Sequence, residues 1–212
     1  IFVLIDSSVD RFLGGATMSE WQTIFNGHDL SGWKATGNAA GWSVADGCIL
    51  CKADGGGYLY TEARYEDFDL RLEYRTEPNC NSGVFFRWSD LKDPVHTGLE
   101  IQILDTHGEH TLNKHSSGAL YDLVAPTQDV ARPAGEWNQL VLSCVGPLMR
   151  LEQNGLPVWE VDVETYDTAG RSPDGELNKF RHAWKDLPRQ GHLGLQDHGG
   201  VCWFRDLSVR VS

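Results

Sequence analysis

The chain has 212 residues, a formal net charge of −12, 23 glycines and 8 tryptophans. This length suits one domain with a well-buried core, and the acidity argues against nucleic acid or an anionic membrane as a partner, since both reward basic patches. No apolar run approaches the roughly 18 to 20 residues of a membrane span, so we expect no membrane insertion.

The first 20 residues are predicted to be a leader, or a segment from outside the native protein, and residues 21–212 a single domain. The leader begins with a short apolar run that lacks a basic n-region, and Met18 resembles a native initiator. Translation from Met18 implies a cytoplasmic protein, whereas removal of a signal peptide before Ile1 implies a periplasmic or secreted one. The sequence leaves both open.

Short alternating runs bounded by turn residues predict about a dozen strands and little helix. Asp46-Gly47 and Asn154-Gly155 are typical of tight hairpin turns, Asn81 to Gly83 of a turn, and 176–184 of one or two helical turns. In chain order we predict a hairpin over 42–50 and strands over 58–61, 68–75, 84–88, 99–103, 118–122, 137–144, 149–153, 156–161, 192–196 and 201–211. Such a pattern favours an all-β jelly-roll sandwich of two antiparallel sheets, one of them curved into a concave ligand groove.

The strand at 99–103 presents one candidate site. Its apolar residues alternate with Glu100 and Gln102, which therefore share the face away from the core. A β-bulge of one residue would bring Asp105 beside them, and paired carboxylates can divide the roles of acid and base. A solvated sheet face is the alternative. Asn81, Arg87 and three histidines surround this strand in sequence; those histidines are His96, His107 and His110.

Gln196-Asp197-His198-Gly199-Gly200 is the second candidate site. An acid and an imidazole beside two glycines offer donors and acceptors on a strand end, where backbone can approach a ligand closely. Asp197 and His198 could form a general-base pair or half a metal site. The alternative is a polar turn in which Asp197 caps backbone amides.

Neither a disulfide framework nor a metal set follows from the cysteines and histidines. The five cysteines are odd in number and scattered, and Cys48-x-x-Cys51 has no second such pair, which favours a structural role. The series from His96 to His115 lacks the spacing of a helical zinc motif. A divalent ion such as calcium on Glu100, Asp105 or Asp197 stays open. No nucleophile elbow is present, which disfavours acyl-enzyme chemistry.

Several motifs, in order, resemble the DUF1080 family, also called the 3-keto-disaccharide hydrolase domain. The matching stretches are FNGHDLSGW (25–33), DFDLRLEYR (67–75), NSGVFFR (81–87), GLEIQILD (98–105), SGALYD (117–122), GEWNQL (135–140), NG (154–155) and GHLGLQDHGGVCWFRDLSV (191–209). The resemblance implies a concanavalin A-like jelly roll, a carbohydrate ligand, and cleavage of glycosides whose C3 hydroxyl is already a ketone.

The chemistry that this resemblance implies needs a base for the C2 proton, a donor or a metal for the enolate oxygen, and an acid for the leaving group. We therefore expect Glu100 or His198 as base and Asp105 or Asp197 as its partner. Sugar or oxyanion contacts are expected from Asn81, Arg87, Gln102, Tyr121 and Gln196. Two alternatives are a conventional glycosidase, for which Gln102 and Asp105 break the usual pattern of acids, and a non-catalytic carbohydrate-binding module that stacks sugar on aromatics such as Trp88.

Overall fold

Two antiparallel β-sheets form the molecule, whose structure, a computed structural model, describes residues 19–108 and 111–211. The strands are β1 (Gln22–Thr23), β2 (Trp33–Ala35), β3 (Trp42–Ala45), β4 (Cys48–Cys51), β5 (Gly57–Thr61), β6 (Phe68–Thr76), β7 (Asn81–Trp88), β8 (Leu99–Leu104), β9 (Asn138–Val145), β10 (Leu148–Gln153), β11 (Leu156–Asp162), β12 (His192–Asp197) and β13 (Cys202–Val211), with one helical turn, α1 (Pro94–Thr97). The prediction of an all-β jelly-roll sandwich is confirmed.

The eight-stranded sheet has the order β11-β10-β9-β6-β13-β4-β3, with β1 also pairing with β13, and the five-stranded sheet has the order β2-β5-β12-β7-β8. The predicted leader covers residues 1–20, and residues 1–18 of it lie outside the described part of the chain. Ser19, where the description begins, donates its amide to Val211 O of β13. Among the described residues, no helix is long and apolar enough to cross a membrane.

Strict alternation along the strands places the hydrophobic core between the sheets. Phe68 and Leu72 of β6 are at most 2% exposed, as are Phe86 of β7 and Ile101 and Ile103 of β8. Successive side chains of a strand point to opposite faces, so the residues between those of β7 and β8 face outward from the five-stranded sheet. This outward face carries the candidate site.

Both predicted hairpins form where a residue pair supplies two positive φ angles. Asp46 and Gly47 have φ of 51° and 73°, and Asn154 and Gly155 have φ of 53° and 78°. These values match the turns that follow the right-handed twist of paired strands.

Three local predictions are wrong. Asn81 to Gly83 do not form a turn but begin β7, which pairs with β8 from Asn81 onwards. The predicted helix at 176–184 is reduced to a 3-10 turn over Trp184–Asp186, although the rings of Phe180 and Trp184 do pack, 5.0 Å apart. The predicted strand at 118–122 pairs with β8 through a bridge between Leu120 and Ile101 and then turns.

The five cysteines all lie within the described residues and are buried free thiols. Burial raises the pKa of Cys51 to about 12. Such thiols stay protonated and inert at neutral pH, in agreement with the structural role expected for them.

Candidate active site

The outward face of the five-stranded sheet gathers polar side chains from four neighbouring strands, β5, β12, β7 and β8. Glu100 of β8 lies opposite Phe85 of β7, which in turn pairs with Gly194 of β12. Gln196 lies one alternation further along β12 and is opposite Tyr58 of β5. Because the side-chain period of a strand is two, these positions project on the same side of the sheet.

A cavity of about 200 Å³ opens on this face. Its lining residues are Tyr58, Asn81, Phe85, Val95, Glu100, Gln102, Tyr121, Lys179, Gln196 and His198. The structure thus brings together predicted residues from both candidate sites, which are separated by about a hundred positions in the sequence. We call this cavity the Glu100 cavity.

Glu100 is the acid at the floor of the Glu100 cavity, where it is 5% exposed. Burial raises the pKa of its carboxyl to about 7, and the positive charge of Lys179 opposes this rise. Within the described residues its carboxylate accepts no hydrogen bond and forms no ion pair. The group is therefore a carboxyl that can gain or lose a proton near neutral pH, as a general base requires.

Gly83 makes room for this carboxyl. A Cβ atom at Gly83 would lie 2.3 Å from Glu100 Oε1 and 2.9 Å from its Cγ. The side chain of Glu100 thus lies across the backbone of β7. The glycine that indicated a turn in the sequence instead serves to admit a neighbouring side chain.

Lys179 brings a positive charge to the cavity from the long connection between β11 and β12. Its Nζ lies 4.2 Å from the ring centroid of Tyr121, a distance typical of a cation–π contact. Burial lowers the pKa of the ammonium, which the negative charges of Glu100 and Asp122 partly offset. Tyr121 is held in turn by its backbone amide, which donates to Glu100 O at 2.9 Å.

Sequence reasoning missed Lys179, because it lies in an irregular segment whose position depends on the tertiary fold. The sequence signal that could have located it is the neighbouring Phe180, whose packing on Trp184 anchors this part of the segment to the core. Tyr58 was missed as a site residue as well, although its place in an alternating strand beside a glycine run indicated one exposed face.

A chain of amide contacts orients the imidazole at the edge of the cavity. Gln102 Nε2 donates to Asn81 Oδ1 at 3.2 Å, and Asn81 Nδ2 lies 3.0 Å from His198 Nδ1. His198 is exposed, and its Nδ1 is occupied by Asn81, which leaves Nε2 as the nitrogen available to a ligand. The predicted residues Asn81 and Gln102 therefore support His198 as well as lining the cavity.

Asp197 caps backbone amides, which is the alternative role that the sequence offered for it. Its carboxylate accepts hydrogen bonds from the amides of Gly56 and Gly199, each at 3.1 Å, and the residue is 4% exposed. It does not line the Glu100 cavity. It ties the glycine-rich loop before β5 to the end of β12.

The structure contradicts the predicted position of Asp105 beside Glu100. The register between β7 and β8 runs without a shift from Phe86 opposite Leu99 to Asn81 opposite Leu104, so no bulge turns Asp105 into the cavity. Instead, Asp105 is exposed, and its Oδ2 accepts from the amide of Asn79 at 2.9 Å.

The predicted sugar contact of Arg87 is contradicted too. Arg87 has a φ of 50°, at a register shift between β7 and β12, and its buried side chain points away from the cavity. Its Nη2 donates to Gly146 O at 2.6 Å and lies 3.8 Å from Asp67. The shift turns Arg87 toward the eight-stranded sheet.

Trp88 is not a platform for sugar stacking, because it is 0% exposed. Its Nε1 donates to Asp90 O, and its ring packs on those of Tyr58 and Tyr60. The half-buried aromatic rings that face the cavity are those of Tyr58 and Tyr121.

The histidines of the loop region stay apart. His96 lies in α1, His107 Nδ1 contacts Ala131 O at 2.7 Å, and His115 Nε2 contacts Asp122 at 3.1 Å. His110 lies outside the described residues. Across residues 19–108 and 111–211, no three His, Cys, Asp or Glu side chains are arranged to hold a metal ion.

Another cavity, of about 460 Å³, lies on the outer face of the eight-stranded sheet. Two of its acids are paired with arginines: Asp69 contacts Arg210 at 2.8 Å and Glu160 contacts Arg150 at 2.7 Å. The third acid, Glu152, is only half-buried. No acid that lines this cavity is both buried and unpaired as Glu100 is, so the Glu100 cavity is the better candidate for chemistry.

Comparison with known proteins identifies the family. Residues 20–210 match the family described as the 3-keto-alpha-glucoside-1,2-lyase-like domain. The chain belongs to this family. The match spans both sheets and every residue of the Glu100 cavity. The family resemblance seen in the sequence is thus confirmed.

Similar proteins are known from several bacteria. The chain is 27% identical, over 89% of its length and 77% of the relative, to a 3-keto-disaccharide hydrolase of Bacteroides thetaiotaomicron. A crystal structure from Parabacteroides distasonis, provisionally assigned as a glycosyl hydrolase, is 30% identical, with a TM-score of 0.83 over 92% of this chain and 100% of that one. The carbohydrate-binding module CBM66 of Bacillus subtilis shares the fold, with 15% identity and a TM-score of 0.53 over 83% of this chain and 93% of the module. The family match and the first two likenesses support a glycoside-acting protein, and the third shows the fold alone.

Proposed function

We propose that the protein cleaves glycosides that carry a ketone at C3, by removal of the C2 proton, elimination of the C1 substituent and addition of water. The observation that carries the proposal is the buried carboxyl of Glu100, whose pKa is raised to about 7, in one cavity with His198. A base with a pKa near the working pH is best suited to remove a carbon-bound proton.

Glu100 is the base in this proposal. A C3 ketone acidifies the C2–H bond, and the carboxylate takes that proton while the bonding electrons move toward the ketone oxygen. The enolate that forms needs a nearby positive charge or a hydrogen-bond donor. Lys179 and the hydroxyl of Tyr121 line the same cavity and supply both.

His198 serves the leaving group. As the enolate collapses and the C1–O bond breaks, Nε2 donates its proton to the departing oxygen, which leaves as an alcohol. The ring regains a proton from the water that adds to C1, and Glu100 returns its proton to C2. The sum is hydrolysis, with both groups restored. Without the water step, the product is the unsaturated ketone of a lyase.

The makeup of the cavity favours this chemistry over a conventional retaining glycosidase. A retaining enzyme needs two carboxyls about 5 Å apart. Among the described residues, Glu100 is the one acid that lines the Glu100 cavity, and Asp105 is turned away from it. The names of the family and of the relative from B. thetaiotaomicron, lyase and hydrolase, are consistent with the same first elimination step.

The test compares matched native and 3-keto glucosides, with and without a chelator, and identifies the products. We expect turnover of the 3-keto compound alone. Glu100→Gln and His198→Ala should each fold and lose at least about 10²-fold in kcat/KM, the usual scale for losing an acid or base. Asp105→Asn, which changes an acid of the same strand region outside the cavity, is the matched control.

Three results would contradict the proposal in different ways. Near-normal rates for Glu100→Gln would remove that residue from the mechanism. Turnover of native glycosides would favour a conventional glycosidase, and binding without turnover of either compound would favour a carbohydrate-binding module. A chelator effect would reveal dependence on a divalent ion.

A further inference from the structure

A second cavity, of about 360 Å³, adjoins the Glu100 cavity. Its lining residues are Gly56, Gly57, Tyr58, Gln196, Asp197, His198 and Gly199. Three of them, Tyr58, Gln196 and His198, also line the Glu100 cavity. The two cavities are therefore neighbouring compartments of one groove, and His198 stands at their junction.

The floor of the second cavity is backbone held in place by Asp197. Its two carboxylate oxygens accept hydrogen bonds from the amides of Gly56 and Gly199, which both line the cavity. Gly57 has no room for a side chain, since an added Cβ would lie 3.0 Å from Gly37 N. At Gly199, by contrast, an added Cβ would meet nothing within 4 Å, so a ligand can approach this backbone closely.

The second cavity lacks the unpaired carboxyl that the first one has, and it shares only His198 as a proton donor. Both oxygens of its carboxylate, Asp197, already accept amide hydrogen bonds, and Glu100 does not line it. It is also more open to solvent than the Glu100 cavity. These properties suit a compartment that binds part of a ligand and leaves the chemistry to its neighbour.

We infer that the second cavity holds the leaving group of the substrate, a sugar-sized alcohol attached through C1. This assignment rests on the proposed function and extends it. The keto ring lies over Glu100, the bond to be broken lies at His198, and the released ring lies over the glycine floor. The chain is therefore selective for the keto ring and benefits from a leaving group large enough to fill the second cavity.

The experiment adds a side chain to that cavity. Gly199 has a φ of 86°, and an added Cβ would meet nothing within 4 Å. Asparagine tolerates this backbone conformation better than most residues do, so Gly199→Asn fills the cavity with little strain. Gly155→Asn is the matched control, because Gly155 has a φ of 78°, equally open surroundings and a position in the other sheet's β10–β11 turn.

The measured quantity is the preference for a full disaccharide, which is kcat/KM for a 3-keto-disaccharide divided by kcat/KM for the methyl 3-keto-glucoside. In Gly199→Asn we expect this ratio to fall at least about 10-fold, the scale of losing one or two good contacts. In Gly155→Asn it should stay at the wild-type value.

An unchanged ratio in a folded, active Gly199→Asn protein overturns the inference. Should that variant fail to fold, Gly56→Asn adds a side chain from the opposite loop, where φ is 66° and the nearest atom is Asp197 O at 3.8 Å. Calorimetry in a Glu100→Gln background gives the corresponding ratio of binding affinities for the two keto compounds without turnover, and Gly199→Asn should lower this ratio too. If the wild-type protein turns over neither keto compound, that result counts against the proposed function alone. The ratio of affinities still decides whether the second cavity holds the leaving group.

Discussion

Gly83→Ala is the sharpest test of how the fold positions the proposed base. An added Cβ would lie 2.3 Å from Glu100 Oε1, whereas ordinary van der Waals contact begins at 3.4 Å. The carboxyl must therefore retreat by roughly 1 Å. A displacement of about 1 Å at a catalytic group can cost about 10²-fold in rate.

We expect Gly83→Ala to lower kcat/KM on a 3-keto-glucoside by about 10²-fold while the protein stays folded. Alanine should cause no backbone strain at this position, because Gly83 does not have a positive φ. Glycine itself weakens a strand, so the substitution should not destabilise β7 through the backbone. Steady-state kinetics measure the loss, and circular dichroism with thermal melting verifies the fold. Combined with Glu100→Gln, the change should add little further loss, because both act on one group.

Gly194→Ala is the control for filling a strand glycine on the same face. Its added Cβ would meet the ring of Trp88 at 3.2 Å and not the carboxyl of Glu100. Activity of Gly83→Ala within about threefold of the Gly194→Ala value would refute the reasoning, since the base would then tolerate the displacement or have no role.

Further predictions concern charge and loop anchoring. Because the carboxylate form of Glu100 is the active base and its pKa is raised to about 7, kcat/KM should fall as the pH drops below about 7. Lys179→Met should move this midpoint upward, since the ammonium lowers the pKa of Glu100; a midpoint that stays in place or moves downward would contradict the assignment. Asp105→Asn should keep kcat/KM within about threefold of wild type, since its carboxylate binds a backbone amide outside the cavity; a loss like that of Glu100→Gln would return it to the mechanism. Asp197→Ala should lower the free energy of unfolding by about 1 to 3 kcal/mol, because two loop amides lose a buried acceptor; denaturant titration measures this, and an unchanged stability would argue against the anchoring role.

Much of the framework could be predicted because its signals are local. The alternation in β6 and β8 and the paired turn residues at Asp46-Gly47 and Asn154-Gly155 depend on near neighbours in the chain. The same alternation identified Glu100 and Gln102 as residues of the outward face. Their meeting with His198 followed from the family resemblance and the expectation of a groove.

The positions of Asp105, Arg87 and Lys179 could not be predicted from local patterns, because they are decided by contacts with distant parts of the chain. Whether β8 contains a bulge is decided by its register with β7, and that register is regular up to Leu104. Arg87 turned inward because of a shift between β7 and β12. Lys179 reached the cavity from an irregular connection with no periodic pattern to interpret. Each outcome required knowledge of which strands are neighbours.

The position of Lys179 has a consequence for engineering. The segment 163–191 carries this lysine to the cavity but contributes no strand to either sheet. Val163, Tyr166, Phe180 and Trp184 of this segment are buried in the core and must be kept, whereas its exposed positions can be varied on a fixed scaffold. Libraries confined to this segment would retune the charge felt by the buried acid, and with it the pH range of the protein, without redesign of the framework.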